Sequence, residues 1–296
     1  MTPQDILSHP PRILSQKQRQ AYFEQGFVLC KGLLDGQWLT RMQDAYTRAI
    51  ERSRGVTGSN TWFSLQRDHT AECPRIQRIE KLPDQDLEFW QVVVQSRVAD
   101  ATADVVGPDV KYRDSMINVK APGEGGKVSW HQDLLFYPHT NSSTIQVLTA
   151  LFDVTPDQGP LTVIKGSHLG EIFEHYDDHD EWTGEISPRD MDRVNMDHAV
   201  DLPCEAGDAI LLHPLTVHGS GPNRSERSRP LLIHGMSAAD AMSYTPMTWG
   251  NSHTNEIVRG QPARWAHHED LRLRLPPDWS EGYTSIFEHQ AVDAAE

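Results

Sequence analysis

The helix-like and strand-like segments of this chain occupy separate parts of the sequence instead of alternating. Apolar residues recur at three- and four-residue spacing between 15 and 107. After residue 109, short runs rich in Val, Ile, Leu, Phe and Thr are separated by clusters of Gly, Pro, Asn and Asp. A doubly wound parallel sheet needs strands and helices in alternation, so this order disfavours it. The sequence predicts a mainly β protein, a sandwich or barrel, with flanking α-helices.

Three helices are predicted in the first part of the chain. Ser15 as N-cap and Gly26 as the residue after the last turn frame one helix, and Asp35 caps a second. A third is predicted over 86–106, where Gly107 ends it. Strands are predicted at 27–31, 109–120, 128–137, 144–154, 161–165, 198–203, 208–213, 215–219 and 229–237.

The two parts of the chain are not separated by a low-complexity linker, and no internal repeat occurs. We therefore expect a single domain over 1–296. In this prediction N-terminal helices occupy about 15–107, the β core about 109–240, and a C-terminal extension 241–296.

Two long segments, 170–197 and 244–275, are polar and lack periodicity. Such stretches in a compact domain are either solvated excursions or loops that cover a site. Both segments contain large aromatic residues, among them Trp182 and Trp249, which a purely solvated loop does not require. We expect at least one of the two segments to close over the substrate-binding site when substrate binds.

Composition excludes several classes of partner. The 42 acidic and 27 basic residues give a net charge of −15, which disfavours binding to nucleic acid or to an anionic membrane. The three cysteines form no CxxC pair, and neither a signal peptide nor an apolar run of membrane-spanning length is evident. We expect a soluble, cytoplasmic protein with a small-molecule substrate; the sequence does not indicate its oligomeric state.

Fifteen histidines make a His-x-Asp or His-x-Glu pattern weak evidence by itself. The patterns are His131/Asp133, His175/Asp177, His179/Glu181, His267/Glu269 and His268/Asp270. Only the first lies where a strand is predicted, within VSWHQDLLFY. Because residues two apart on a strand face the same side, His131 and Asp133 should converge while Gln132 points away.

A ferrous site that activates dioxygen commonly has two histidines and one carboxylate on one face of the metal. A second histidine is therefore needed. His213 precedes Pro214 at the end of an apolar run and is better interpreted as a structural residue. His218 precedes Gly219, where a small residue allows close approach, and is the better candidate.

Arg229 follows His218 by eleven residues, at the start of another predicted strand. Its guanidinium could hold the far carboxylate of a dicarboxylic acid through two parallel hydrogen bonds. Without the histidines, Arg229 would be interpreted as an ordinary surface arginine.

Four sequence motifs occur in a recognisable order. They are NVKAPG at 118–123, WHQD at 130–133, GPLTVIKGSH at 159–168 and HPLTVHGSGPNRSERSR at 213–229. Together they resemble the phytanoyl-CoA dioxygenase family of Fe(II)- and 2-oxoglutarate-dependent oxygenases. The resemblance extends over roughly 20–240, and SIFEHQ near Ser285 is similar to the tail of bacterial members. It implies a double-stranded β-helix, or jelly roll, with helices packed on one sheet.

The resemblance also implies roles for individual residues. The implied iron ligands and catalytic centre are His131, Asp133 and His218. Arg229 pairs with the distal carboxylate of 2-oxoglutarate, Ser220 adds a hydroxyl contact to it, and Asn118 is directed at this co-substrate. This chain departs from some members at Leu148, within QVLTALFD, where they carry a tryptophan.

The function implied by the resemblance is hydroxylation of an unactivated C–H bond with Fe(II), 2-oxoglutarate and O2, releasing succinate and CO2. Related halogenating enzymes lack the metal-binding carboxylate, whereas this chain keeps Asp133. A long acyl-CoA substrate needs cations for its phosphates, and only Arg224 and Arg227 lie beside Arg229. We therefore favour a small metabolite such as an amino-acid derivative or a natural-product intermediate. The alternatives are an acyl-CoA hydroxylase of the same family and a non-catalytic jelly-roll binding module.

Overall fold

A computed structural model describes residues 1–123, 126–247 and 249–279 of the chain. The strands in these ranges are β1 (Phe27–Cys30), β2 (Phe63–Leu65), β3 (Ile76–Ile79), β4 (Val110–Lys120), β5 (Val128–His131), β6 (Thr144–Ala150), β7 (Leu161–Ile164), β8 (Ala199–Leu202), β9 (Ala209–Leu212), β10 (His218–Ser220), β11 (Arg229–Ala238) and β12 (Ile257–Arg259). The α-helices are α1 (Pro3–Ser8), α2 (Gln16–Gln25), α3 (Gly36–Ser53), α4 (Leu82–Gln85), α5 (Glu88–Gln95), α6 (Val98–Val106) and α7 (Pro188–Met191).

The strands form two antiparallel sheets. The large sheet has the order β1-β9-β6-β11-β4-β3-β2, with β12 paired to β4, and the small sheet has the order β5-β10-β7-β8. Strands that are distant in sequence are neighbours in both sheets, as in a jelly roll. The structure therefore confirms the predicted fold class.

Two apolar layers hold the sheets and helices together. On β11, Leu231 and Ile233 point between the sheets, whereas Leu232 and Met236 point to the layer beneath the helices. Helix α6 packs against β4, β6 and β11, so the helices cover one face of the large sheet. A cavity lies between the two sheets. None of the described helices is long and apolar enough to cross a membrane.

The first two predicted helices are confirmed, with their caps. The Ser15 hydroxyl accepts the backbone N–H of Gln18, and Gly26 after α2 adopts φ 85°, which favours glycine. The Asp35 carboxylate accepts the backbone N–H of Trp38 at the start of α3.

The third predicted helix, 86–106, is wrong as a continuous element. The chain forms two helices in this region, α5 and α6, with a break at Ser96. The Ser96 hydroxyl donates to the carbonyl of Val92 and accepts the N–H of Val98, so it ends α5 and begins α6. The spacing of apolar residues alone does not reveal that a serine side chain takes the place of the backbone hydrogen bonds here.

Most strand predictions agree with the structure to within one residue at each end. The strand predicted at 128–137 ends at His131 and is followed by a 3₁₀ turn, Asp133–Leu135. The strand predicted at 144–154 ends at Ala150, and that predicted at 215–219 lies at His218–Ser220. Sequence analysis also missed α1, α4, α7, β2, β3 and β12, because elements this short contain too few residues to show periodicity.

The N-terminal segment is fixed to α6 by one carboxylate. Asp104, which is 2% exposed, accepts the backbone N–H groups of Arg12, Ile13 and Leu14 at 2.7–2.8 Å. These bonds satisfy donors that would otherwise be removed from water without a partner.

We expect Asp104→Ala to lower the free energy of unfolding by about 2–4 kcal/mol, because it leaves three backbone donors unpaired. The matched control is Asp100→Ala on the same helix, whose carboxylate is 30% exposed and pairs with Arg12 and Arg259. Exposed ion pairs stabilise weakly, so the control should cost about 1 kcal/mol or less. Urea unfolding measures both, and equal losses would contradict this account of Asp104.

Candidate active site

Two histidines and one aspartate converge between the sheets. His131 ends β5, His218 begins β10, and the two are directly opposite each other in the antiparallel pair. The Nε2 atom of each histidine lies 3.7 Å from Oδ1 of Asp133. Among the described residues, this is the group of three potential ligands whose atoms all lie within 4.8 Å of one another.

Asp133 reaches the histidines from a turn and not from a strand, which corrects the geometry expected from the sequence. The backbone leaves the small sheet after His131, and the N–H of Phe136 bonds to the carbonyl of Asp133 to close the 3₁₀ turn. The N–H of Leu134 bonds to the carbonyl of Pro214 and fixes the turn against the segment that leads to His218. Gln132 nevertheless points away from the cavity, as expected, and is fully buried.

Both imidazoles are held with Nε2 directed at the carboxylate. Nδ1 of His131 donates to the carbonyl of Ser129, and Nδ1 of His218 donates to that of Thr216, each at 2.8 Å. These bonds select the tautomer that leaves Nε2 with a free lone pair. Burial and the neighbouring His218 lower the pKa of His131 well below its usual range, so the ring is neutral.

This donor set fits a divalent iron ion. Two imidazole nitrogens and one carboxylate oxygen approach from one side, and the opposite side opens into the cavity. The 2-His-1-carboxylate arrangement with open positions is typical of non-haem Fe(II) oxygenases. The bonds to Ser129 and Thr216 supply the outer hydrogen bonds that metal-binding histidines require.

The triad borders a cavity whose empty space, with the open solvent at its mouth included, is about 910 Å³. Its walls come from both sheets and from the C-terminal extension, and they include all six site residues predicted from sequence. The lining residues are Arg78, Met116, Asn118, Val128, His131, Asp133, Phe136, Tyr137, Gln146, Leu148, Leu161, His218, Gly219, Ser220, Arg229, Leu231, Ile233 and Trp249. Leu148, where the sequence departs from some relatives, is thus part of the wall.

One end of the cavity contains a buried cation. Arg229 is 4% exposed, its Nη2 donates to the carbonyl of Gly159, and its Nε has no partner among the described residues. Burial lowers the pKa of Arg229 to about 10, which still leaves it charged at neutral pH. Ser220 lies on the same wall. A buried guanidinium with an unpaired N–H fits a carboxylate ligand.

Sequence analysis missed two basic residues near this end. Arg78 on β3 lines the cavity, and its Nε donates to Oδ1 of Asn118 at 2.8 Å, so the Asn118 carbonyl oxygen is already engaged. Lys120 donates to the carbonyls of Ser220 and Gly221, and burial together with the charge of Arg229 lowers its pKa to about 6. Because residues two apart on a strand face the same side, Asn118 could have indicated that Lys120 lies near the site. The sequence of β3 gave no such signal for Arg78.

The opposite end of the cavity is formed by the rings of Tyr137 and Trp249. The Arg113–Asp114 pair contacts both rings. In the β4–β11 pair, Arg113 is the extra residue of a β-bulge, which turns its side chain toward the same face as Asp114. The Arg113 guanidinium donates to Asp114 and lies 3.6 Å over the ring of Tyr137. Asp114 also accepts the indole N–H of Trp249 at 3.1 Å. A Cβ at Gly235 would overlap Arg113 and Asp114, so glycine makes room for this pair.

The segment 170–197 covers the turn that carries Asp133. Trp182 is buried, with its ring edge-on to Phe136 at 5.2 Å between centroids. In the C-terminal extension Trp249 is likewise buried, whereas Tyr244 and Trp265 are 52% and 86% exposed. Both long segments therefore contribute one tryptophan to the region of the site, and closure on substrate binding stays a prediction.

His213, the alternative histidine, and Trp130 of the WHQD motif both lie outside the cavity wall. His213 packs against the rings of Tyr22 and His168, and its Nδ1 accepts the N–H of Leu215. Trp130 packs beneath the segment 170–197, where its carbonyl accepts the N–H of Ile186. SIFEHQ lies outside the described residues.

Comparisons with known proteins agree with this geometry. A sequence model of the family described as phytanoyl-CoA dioxygenase (PhyH) matches residues 22–231. The chain is 26% identical over 281 residues to a probable alpha-ketoglutarate-dependent hypophosphite dioxygenase of Stutzerimonas stutzeri, covering 93% of this chain and 96% of that protein. It is 28% identical over 228 residues to the peroxisomal phytanoyl-CoA dioxygenase of Bos taurus, covering 73% of this chain and 66% of that protein.

Solved structures show the same fold. EctD from S. alaskensis with bound Fe superposes with a TM-score of 0.67 at 18% identity, covering 91% of this chain and 90% of that chain. The carbocyclase SnoK of nogalamycin biosynthesis gives a TM-score of 0.61 at 23% identity, covering 79% of this chain and 88% of that chain. At these identities the likeness extends to the fold alone.

We expect His218→Ala to abolish stoichiometric binding of one divalent metal ion, because two ligands do not complete the site. His213→Ala removes a histidine only five residues away and should retain full stoichiometry. Metal content after anaerobic loading with Fe(II), measured by emission spectrometry, distinguishes the two. Loss in His213→Ala with retention in His218→Ala would identify His213 as the ligand.

Proposed function

This chain belongs to the phytanoyl-CoA dioxygenase family, and we propose that it hydroxylates an unactivated C–H bond of a small polar metabolite, releasing succinate and CO2. It is an enzyme that uses Fe(II), 2-oxoglutarate and O2. The convergence of His131, Asp133 and His218 on one point beside the cavity is the observation that carries this proposal.

In this proposal the three converging residues are the iron ligands. The bound iron and 2-oxoglutarate supply the oxidant that removes a hydrogen atom from the substrate. Asp133 would supply the carboxylate ligand that halogenating relatives lack, so we expect hydroxylation as the outcome. The rings of Phe136 and Trp182 exclude water from one side of the centre.

Arg229 is proposed to bind the distal carboxylate of 2-oxoglutarate. The residue is buried, charged and incompletely hydrogen-bonded, and it lines the same cavity as the triad. Ser220, two residues after His218, is proposed to add a hydroxyl contact. Asn118 is proposed to contact the co-substrate through its amide nitrogen, because its oxygen accepts from Arg78.

A small substrate is supported by the far end of the cavity. Tyr137 and Trp249 close that end, and the Arg113–Asp114 pair fixes both rings. Gln146 beside them donates to the Tyr137 hydroxyl, which leaves the phenol proton available to a ligand. Burial raises the pKa of Tyr137 well above its usual range, so the phenol keeps this proton. A compact molecule with a polar group fits this end better than a long alkyl chain does.

An acyl-CoA is the competing substrate class, favoured by the name of the Bos taurus relative. Its phosphates would need cations near the mouth, and the candidates on the segment before Arg229 are the exposed Arg224 and Arg227. Glu226 lies between these two arginines and reduces the local positive charge. Presence of the complete triad together with Arg229 argues against the non-catalytic alternative.

We expect Arg229→Ala to weaken 2-oxoglutarate binding by about 2–3 kcal/mol, or roughly 30- to 150-fold, because a charge-assisted contact is lost. Arg229→Lys should recover only part of this, since a point charge does not form two parallel hydrogen bonds. Arg227→Ala, an exposed arginine on the same segment, is the control. Anaerobic calorimetry with the metal-loaded protein measures all three, and unchanged affinity in Arg229→Ala would refute the assignment.

The proposed reaction is tested by screening the iron-loaded enzyme for succinate release with small metabolites and, in parallel, with acyl-CoA thioesters. Under ¹⁸O₂ we expect a product that has gained one labelled oxygen atom. A product lighter by two hydrogens would show that the reaction is desaturation and would refute hydroxylation. Turnover of acyl-CoA alone would refute the small-metabolite proposal.

A further inference from the structure

Gln132, the residue between two of the proposed iron ligands, makes an unusually complete set of hydrogen bonds. Its Nε2 donates to the carbonyls of Glu171 and Leu215 at 3.1 and 2.8 Å. Its Oε1 accepts the backbone N–H of Phe173 at 2.9 Å. One side chain therefore connects the turn of Asp133 to two segments that are distant in sequence.

The backbone of Gln132 is fixed by a buried histidine. Its N–H donates to Nε2 of His175 at 3.2 Å, and His175 is 1% exposed. The carbonyl of His175 accepts the backbone N–H of Thr183, which holds the segment in place. The peptide that joins His131 to the turn is thus anchored from the side opposite the cavity.

The hydrogen bonds of Gln132 also reach the segment that orients His218, the third proposed ligand. Leu215, whose carbonyl accepts from Gln132, directly precedes Thr216, and the carbonyl of Thr216 holds Nδ1 of His218. Gln132 therefore links the strand end that carries His131 and Asp133 to the segment that orients His218.

Packing alone does not account for a histidine at position 175. Its ring lies 5.7 Å from the rings of both Phe136 and Trp182, and its Nδ1 has no hydrogen-bond partner among the described residues. A phenylalanine would occupy this aromatic setting without burying an unpaired N–H, which costs free energy. The feature that a phenylalanine lacks is the acceptor at Nε2.

We propose that His175 and Gln132 are positioning residues that hold the His131-Gln132-Asp133 backbone in the geometry for metal binding. This inference rests on the proposed iron site. Outer hydrogen bonds of this kind typically change metal affinity ten- to hundredfold. The segment 170–197, predicted from sequence only as a loop or cover, thereby acquires a role at the metal.

The test uses Co(II) as the probe, because its visible absorption reports coordination geometry without turnover or substrate. In the full-length protein we expect His175→Phe to bind Co(II) ten- to hundredfold more weakly and with an altered visible spectrum. His175→Gln places an amide oxygen near the position of Nε2, so it should restore affinity and spectrum to near those of the wild type. His234→Phe, which removes a fully buried histidine bonded to Ser115 on the helix-facing side of β11, should bind as the wild type does.

A second variant keeps the inference testable if His175→Phe does not fold. Gln132→Glu keeps the acceptor for Phe173 but loses the donor to Glu171 and Leu215, and should also weaken Co(II) binding at least tenfold. Wild-type affinity and spectrum in both His175→Phe and Gln132→Glu would overturn the inference, as would equal losses in His175→Phe and His175→Gln. Absence of Co(II) binding by the wild type would instead overturn the proposed iron site itself.

Discussion

The antiparallel pairing of β10 with β5 sets His218 opposite His131, and the geometry of the site depends on this register. A slip of one residue would turn one imidazole to the other face of the small sheet. The register is fixed from both sides, because His218 also lies opposite Val163 of β7. Gly219 contributes through its size, since a Cβ there would lie 2.8 Å from the carbonyl oxygen of Val128.

The large sheet gives the cavity two chemically different ends. On β4, Met116 and Asn118 line the cavity, with Asp114 before them and Lys120 after them along the strand. The end near Asn118 holds the guanidinium groups of Arg78 and Arg229, which suit a dicarboxylate, and the end near Asp114 has the Arg113–Asp114 ion pair behind two aromatic rings. The triad faces the space between them from the small sheet and from the turn that follows β5, so co-substrate and substrate could reach a bound metal from different directions.

The residues that the sequence analysis proposed for the site converge in the structure, whereas the backbone around them differs from the predicted one. His131, Asp133 and His218 were found through spacing and motif order, and all three converge. The strand invoked to bring His131 and Asp133 together ends too early, and the 3₁₀ turn achieves the same convergence. Arg78 was missed because β3 has only four residues, too few for alternation to stand out. The bulge at Arg113 was missed because it exists only as a mismatch between two strands.

The sequence by itself determined the order of helices and strands, the caps at Ser15 and Asp35, and the residue types able to bind iron and a carboxylate. These properties follow from local propensity and from the chemistry of single side chains. Tertiary structure alone decided that Trp249 reaches Asp114, that His175 supports Gln132, and that Arg78 reaches Asn118 in the cavity wall. Each of these contacts joins residues at least 40 positions apart. Such contacts depend on how strands pair and loops pack, which no local pattern encodes.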